Sequence, residues 1–216
     1  MDYPTARQHM VESQIRPNRV TDSRIISAMT EIPRETFVPK PLLGVAYVDE
    51  VLALGNGRHL MAPMVLARLL QTVEIQADDV VLDVGCGSGY SAAVLARLAT
   101  IVVALECDGE LVATATRNVA ELEIDNVAVV EGPLGDGWAK QGPYDVIVFD
   151  GAVGDVPPAV LDQLAEGGRL IAVMTGNGIG KATLITRFGS SLSRRQVFDA
   201  QAPCLPGFAA EQTFEF

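Results

Sequence analysis

Between residues 80 and 90 the chain reads Val80-Val81-Leu82-Asp83-Val84-Gly85-Cys86-Gly87-Ser88-Gly89-Tyr90, and this segment constrains the fold more than any other. A β-branched run with strand character gives way to alternating glycines and then to a helical pattern over Tyr90–Leu98. Gly85 and Gly87 let the backbone turn tightly and approach a ligand closely, and the free N–H groups that open the helix face that ligand. The alternation continues downstream. Strands are predicted at Thr100–Glu106, Val127–Glu131, Tyr144–Asp150 and Arg169–Met174, and helices at Gly109–Glu121 and Pro158–Leu164. Strands separated by helices are βαβ units and imply a parallel sheet. Beyond Met174 the alternation stops. Lys181–Phe188 and Arg194–Ala200, joined by a turn over Gly189–Ser193, predict a closing antiparallel hairpin.

Two cofactors use a strand, glycine loop and helix. A dinucleotide needs G-x-G-x-x-G, whose third glycine lets the helix pack on the strand; here Tyr90 stands at that position. The pattern present, D-x-G-x-G-x-G, resembles motif I of class I methyltransferases. That resemblance implies S-adenosylmethionine as cofactor, with Gly85, Cys86, Gly87, Ser88 and Gly89 shaping its cleft and Asp83 facing the methionine end. An acid suits a cationic sulfonium and an α-amino group, and does not suit a pyrophosphate. Glu106 ends the second strand, where a carboxylate can accept both ribose hydroxyls; dinucleotide folds share this feature, so it supports the fold without choosing the cofactor. Cys107 and Asp108 follow on the adenosine side.

Segments outside the glycine loop narrow the reading. Pro33-Arg34-Glu35-Thr36-Phe37-Val38-Pro39, Ala46-Tyr47-Val48-Asp49, Gly85 to Ala96, Pro143-Tyr144-Asp145, and Gln163-Leu164 with Gly167-Gly168 resemble the corresponding motifs of the protein-L-isoaspartate O-methyltransferases. The resemblance covers nearly the whole chain. It implies an α/β fold of the class I methyltransferase (Rossmann-like) type: a mixed seven-stranded sheet, mostly parallel with an antiparallel strand, and helices on both faces. It also implies methyl transfer to the carboxylate of L-isoaspartyl residues in damaged proteins, hence protein repair, with an isoaspartyl protein or peptide as partner.

Ahead of the core, Thr5–Ile15 and Ser23–Glu31 carry apolar residues at helical spacing, with Thr21 as N-cap of the second. Pro33 to Gly57 is too punctuated for a long element, and Pro63–Val73 is helical with proline at its first position. Residues 1–76 are read as a helical extension over the active-site mouth and 77–216 as the S-adenosylmethionine-binding core.

Departures from the family pattern mark further candidates. Where the family has T-I-S-x-P, with an active-site serine, this chain has His59-Leu60-Met61-Ala62-Pro63, so Met61 takes the serine position. Where the family has G-D-G it has Gly132-Pro133-Leu134, with Gly135-Asp136-Gly137-Trp138 three residues later. Either the loop is longer or Pro133 replaces the acid on the adenine side. His59 is a candidate base or a structural residue, and Asp150 a cap or a contact to substrate or cofactor. Met61, Ala62 and Pro63 are placed on the acceptor side. Leu205 and Pro206, in Leu205-Pro206-Gly207-Phe208, line the substrate entrance or form an ordinary loop. Trp138 is expected to pack. Met61 suggests a more apolar acceptor as the first alternative; a catalytically silent S-adenosylmethionine-binding protein is the second.

Composition trims the options. A net charge of −11 repels phosphate backbones and argues against nucleic acid as partner. Two histidines and three cysteines without C-x-x-C give no metal spacing. The thiols fit a reduced cytoplasm, with Cys204 expected to be a small buried residue. No apolar run reaches membrane-spanning length, and residues 1–17 lack the pattern of a secretory signal.

Overall fold

The computed structural model describes residues 2–176 and 179–208. Its N-terminal part runs α1 (Tyr3–Met10), a π turn over Val11–Ile15, a 3-10 turn over Arg16–Asn18, α2 (Ser23–Glu31), two further 3-10 turns (Arg34–Phe37 and Lys40–Val45), a hairpin of β1 (Leu52–Gly55) and β2 (Arg58–Leu60), and α3 (Pro63–Val73). The cap of α2 is Asp22, whose carboxylate accepts from the Arg24 N–H at 2.8 Å. Thr21, expected there, instead donates its backbone N–H to the Gln71 side chain at 2.6 Å. The hairpin was not anticipated, although its tip, Asn56-Gly57, is a type I′ turn signal; Asn56 and Gly57 both have positive φ.

The core follows as β3 (Val80–Val84), α4 (Tyr90–Leu95), β4 (Ile101–Glu106), α5 (Gly109–Glu121), β5 (Val127–Glu131), β6 (Tyr144–Val153), α6 (Pro158–Leu161), β7 (Leu164–Met174), β8 (Lys181–Phe188) and β9 (Ser191–Asp199). The strand order is β5-β4-β3-β6-β7-β8-β9; the first five are mutually parallel, and β8 and β9 close the sheet antiparallel. β6 and β7 run longer than expected, and α6 is correspondingly shorter than Pro158–Leu164. The first position of the extension and residues 209–216 of the predicted core lie outside the described residues.

Alternation along the strands sends successive side chains to opposite faces. Val81, Val102, Ala104, Val146, Val148 and Ile171 pack under α3, α4 and α5. Leu82, Val84, Val103, Leu105, Ile147 and Leu170 meet α6, Leu134 and Phe208. The helices therefore lie on both faces but unequally, with the extension adding α1 and α2 to the first. Cys204, expected to be buried, is exposed. Trp138 packs beside Gly132, with the Lys140 ammonium 4.7 Å from its ring centre. No helix among the described residues is long and apolar enough to cross a membrane.

Candidate active site

Gly85 and Cys86 leave the end of β3 with their N–H groups on the Leu105 carbonyl, at 2.8 and 3.1 Å. Gly85, Gly87 and Gly89 all have positive φ, the region glycine enters without steric cost. They do different work. Gly85 and Gly87 border the cleft, whereas a Cβ on Gly89 would stand 3.2 Å from the Ala115 Cβ; Gly89 lets α4 and α5 approach. The Cys86 side chain lies inside the core, where burial pushes its thiol well above the usual range. Only its backbone belongs to the loop. The Ser88 hydroxyl, expected in the cofactor cleft, donates to the Phe37 carbonyl at 2.7 Å and is a structural tie.

That tie explains why the P-R-E-x-F-V-P segment accompanies the glycine loop. Arg34, fully buried, donates Nε to the Ala46 carbonyl (2.9 Å) and Nη2 to the Met61 carbonyl (2.7 Å), and its guanidinium lies 4.8 Å from the Tyr90 ring centre. Phe37 meets Tyr90 edge-on at 5.5 Å. Glu35, Tyr47 and Arg7 form a second knot: Arg7 donates Nε to the Tyr47 hydroxyl at 3.0 Å, and that hydroxyl donates to Glu35. Asp49 accepts from the Met64 N–H at 2.9 Å and secures the start of α3. One clamp thus holds the segment around Met61 against the head of α4.

Glu106, at the end of β4, is fully buried. It accepts the backbone N–H groups of Gly87 (2.8 Å), Cys107 (2.8 Å) and Asp108 (3.2 Å). Arg58, unremarked in the sequence, donates Nε to both of its oxygens (3.1 and 3.2 Å) and Nη2 to Oε2 (2.9 Å) and to the Gly85 carbonyl (2.7 Å). Burial works against the carboxylate, but Arg58 and these N–H groups outweigh it and hold Glu106 below its ordinary range.

Asp83 and Asp150 supply the other buried carboxyls. Asp83 accepts from the Ser91 hydroxyl at 2.6 Å through Oδ2, and the Oδ1 atoms of both Asp83 and Asp150 have no partner. Asp150 sits where β6 slips against β7, between the pairs Val148↔Ile171 and Ala152↔Val173. Such an irregularity bends a strand and re-aims its side chains. Burial first, and then Asp150, raise Asp83 well above the carboxylate range; burial raises Asp150 to about 6 despite Ser91, Arg58 and Arg34. A carboxyl raised in the folded state from 3.8 to about 6 keeps a proton that the unfolded chain releases. Its contribution to stability is present at low pH and is lost as pH rises through about 6. Asp150→Asn is therefore expected to gain stability relative to the parent between pH 4 and pH 8, on the order of 2–3 kcal/mol. Urea unfolding of both proteins at the two pH values checks this; a pH-independent difference contradicts it.

The remaining expected site residues scatter. His59 is half-buried, with its Nδ1 unpartnered, and its carbonyl lies 3.9 Å from where a Gly87 Cβ would stand, so it adjoins the loop. Met61 and Ala62, expected to face an acceptor, are 2% and 7% exposed, and Pro63 is buried as well; the apolar core takes the Met61 side chain. Leu205, expected at an entrance, is buried directly over Gly85 and Gly151, while Pro206 is exposed. Leu134 belongs to the core below the sheet, Pro133 is exposed, and Gly132 donates its N–H to the Glu106 carbonyl at 3.1 Å. The Asp136 side chain is exposed, and its carbonyl takes the Gln163 amide at 2.7 Å. Cys107, also exposed, contributes its backbone N–H to Glu106.

The donor set fits S-adenosylmethionine. Unpartnered carboxylate oxygens suit a cationic amino acid end, a carboxylate anchored by N–H groups suits a vicinal diol, and side-chain-free backbone at Gly85 and Gly87 permits close approach. Comparison with known proteins agrees. The family model described as protein-L-isoaspartate(D-aspartate) O-methyltransferase matches residues 5–197. A protein-L-isoaspartate O-methyltransferase of Methanoculleus marisnigri is 42% identical over 166 residues, 77% of this chain and 76% of that protein. One of Methanoregula boonei is 36% identical over 197 residues, 90% and 91% of the two. A solved protein-L-isoaspartate O-methyltransferase superposes with a TM-score of 0.83 at 29% identity, covering 93% of this chain and 66% of that one.

Proposed function

The chain belongs to the protein-L-isoaspartate O-methyltransferase family of class I S-adenosylmethionine-dependent methyltransferases, and from that premise we propose that it methylates the free carboxylate of L-isoaspartyl residues in damaged proteins. The methyl ester is a better electrophile than the carboxylate, so the neighbouring backbone nitrogen attacks its carbonyl, expels methanol and closes a succinimide, whose hydrolysis returns a part of the residues to the normal aspartyl form and the rest to the isoaspartyl form for another round. The observation that carries this reading is the clamp of Arg34, Phe37 and Ser88 on the glycine loop, which gives the family's most distinctive segment a physical role beside the cofactor cleft.

When bound, S-adenosylmethionine supplies an electrophilic methyl group on a positively charged sulfur. Glu106 would hold the ribose hydroxyls, the free oxygens of Asp83 and Asp150 the amino group, and the Gly85 and Gly87 backbone would lie against the chain between them. Cys107, Gly132 and Pro133 border the adenosine end. The acceptor carboxylate is already a nucleophile and needs no strong base. The chain's task is to position it and to exclude water. With Met61 turned into the core, the half-buried His59, whose Nδ1 has no partner, is the candidate for the hydrogen-bonding role of the family's serine. One charge-assisted bond of that kind is worth roughly 1.5–3 kcal/mol, or on the order of ten- to a hundred-fold in rate. A cavity of about 380 Å³ bounded by Val51, Val173, Thr175 and Ala200 lies at the C-terminal end of β7 and is offered as the acceptor side. Its partly apolar wall favours a small apolar acceptor as the second reading. Three free cysteines fit a cytoplasmic setting.

The test is transfer of radiolabel from S-adenosylmethionine to an isoaspartyl peptide, with the aspartyl peptide as control. Base-labile label on the isoaspartyl peptide alone supports the proposal. Cofactor binding without transfer to either peptide sinks it and directs attention to small acceptors.

A further inference from the structure

Arg58 and Leu205 have no part in the chemistry above, yet both occupy the cleft. The Nε and Nη2 donors of Arg58 sit side by side on Glu106, at 3.1 and 2.9 Å to its two oxygens. A planar fork of this kind matches a carboxylate in the manner of two vicinal hydroxyls. Above the loop, a Cβ on Gly85 would stand 2.8 Å from Leu205 Cδ2 and 2.9 Å from Arg58 Nη2, and one on Gly151 would stand 2.6 Å from Leu205 Cδ2. The space that the glycines leave open is filled by the chain's own side chains.

We propose that Arg58 and Leu205 form a built-in gate on the cofactor cleft: Arg58 takes the place of the ribose on Glu106, Leu205 covers Gly85, and both withdraw when cofactor binds. The inference rests on the cofactor site described above. Charge balance supports it. Asp83, Asp150 and Glu106 are all buried at this end of the sheet, and Arg58 is the cation hydrogen-bonded within the cleft. S-adenosylmethionine carries a net positive charge, so exchanging it for Arg58 leaves the buried charge unchanged, whereas withdrawing Arg58 alone would strand Glu106. The mounting of Arg58 supports it too. It leads out of the exposed tip of the β1–β2 hairpin, where Gly55 and Gly57 have positive φ and open space around them. Asn56 Nδ2 donates to Asp108 at 2.8 Å and ties the tip to the core. Leu205 hangs on a separate segment, through its N–H to the Ala152 carbonyl at 2.8 Å.

A closed form lowers apparent affinity by the fraction of molecules that are open. The experiment is calorimetric titration of S-adenosylmethionine, the ligand that carries the positive charge, into the parent, Arg58→Gln and Leu205→Ala proteins, with thermal melts of each without ligand. Arg58→Gln is expected to bind at least about ten-fold more tightly while melting lower without ligand, because Glu106 has lost its partner. Leu205→Ala is expected to bind more tightly without disturbing that ion pair, and carries the test if Arg58→Gln does not fold. Binding by the parent, with variants equal or weaker, overturns the gate and leaves the cofactor site standing. Absence of binding by all of them overturns both.

Discussion

Arg34→Met is expected to lower the melting temperature by about 10 °C. Arg34 is fully buried and donates to the carbonyls of Ala46 and Met61. Methionine fills comparable space and removes the cost of a desolvated guanidinium, which on its own would favour the variant. It leaves both carbonyls without a donor, and each unsatisfied buried acceptor costs about 1–3 kcal/mol. It also removes the cation from the Tyr90 face, worth about 1 kcal/mol. Together these are about 3–7 kcal/mol, of which the relieved desolvation returns a part, and in a chain of this length each kcal/mol moves the midpoint by about 2–4 °C. Arg34→Lys keeps the charge but cannot span both carbonyls, so it should fall nearly as far. An unchanged melting temperature in either variant would show that the segment around Met61 does not depend on the clamp.

Glu106→Gln should weaken S-adenosylhomocysteine binding by at least about a hundred-fold. The proposed ribose contact consists of hydroxyls donating to a carboxylate, each bond worth roughly 1.5–3 kcal/mol. An amide retains one acceptor oxygen and turns an NH₂ toward N–H groups of Gly87 or of Cys107 and Asp108, which now donate to the carboxylate. The substitution also frees Arg58 from its ion pair, which on the gating proposal opens the cleft, but an open cleft with a poor ribose acceptor still binds weakly. Titration calorimetry decides the point; affinity within a factor of a few of the parent would place the ribose elsewhere.

What could be read from sequence tracks what is local. The βαβ alternation, the closing hairpin and the glycine loop rest on short-range periodicity and backbone chemistry, and their elements fall within a few residues of expectation. The places of Glu106 at a strand end and of Asp83 ahead of the glycine loop are legible because the same pattern fixes strand ends and loop starts. Arg58 was not, since its importance depends on a hairpin reaching 48 residues along the chain to Glu106, and the Asn56-Gly57 signal was lost among surrounding prolines and glycines. Met61 was misplaced for a related reason. Its position in a motif fixes its backbone, which does serve the site by anchoring Arg34, while rotation of an apolar side chain into the core is a tertiary choice. Ser88 and Gly89 match the motif but serve packing, and a motif string cannot separate the glycine that admits a ligand from the one that admits a helix.

Repair of isoaspartyl residues is measured most directly by following the peptide rather than the methyl group. An isoaspartyl peptide is incubated with the protein and S-adenosylmethionine, and the isoaspartyl and aspartyl forms are separated chromatographically over time. The expected result is that the isoaspartyl form declines and the aspartyl form accumulates, only with cofactor present, as successive rounds of methylation and succinimide hydrolysis drain the damaged pool. An isoaspartyl peptide that persists unchanged beside a protein shown to bind the cofactor would contradict it.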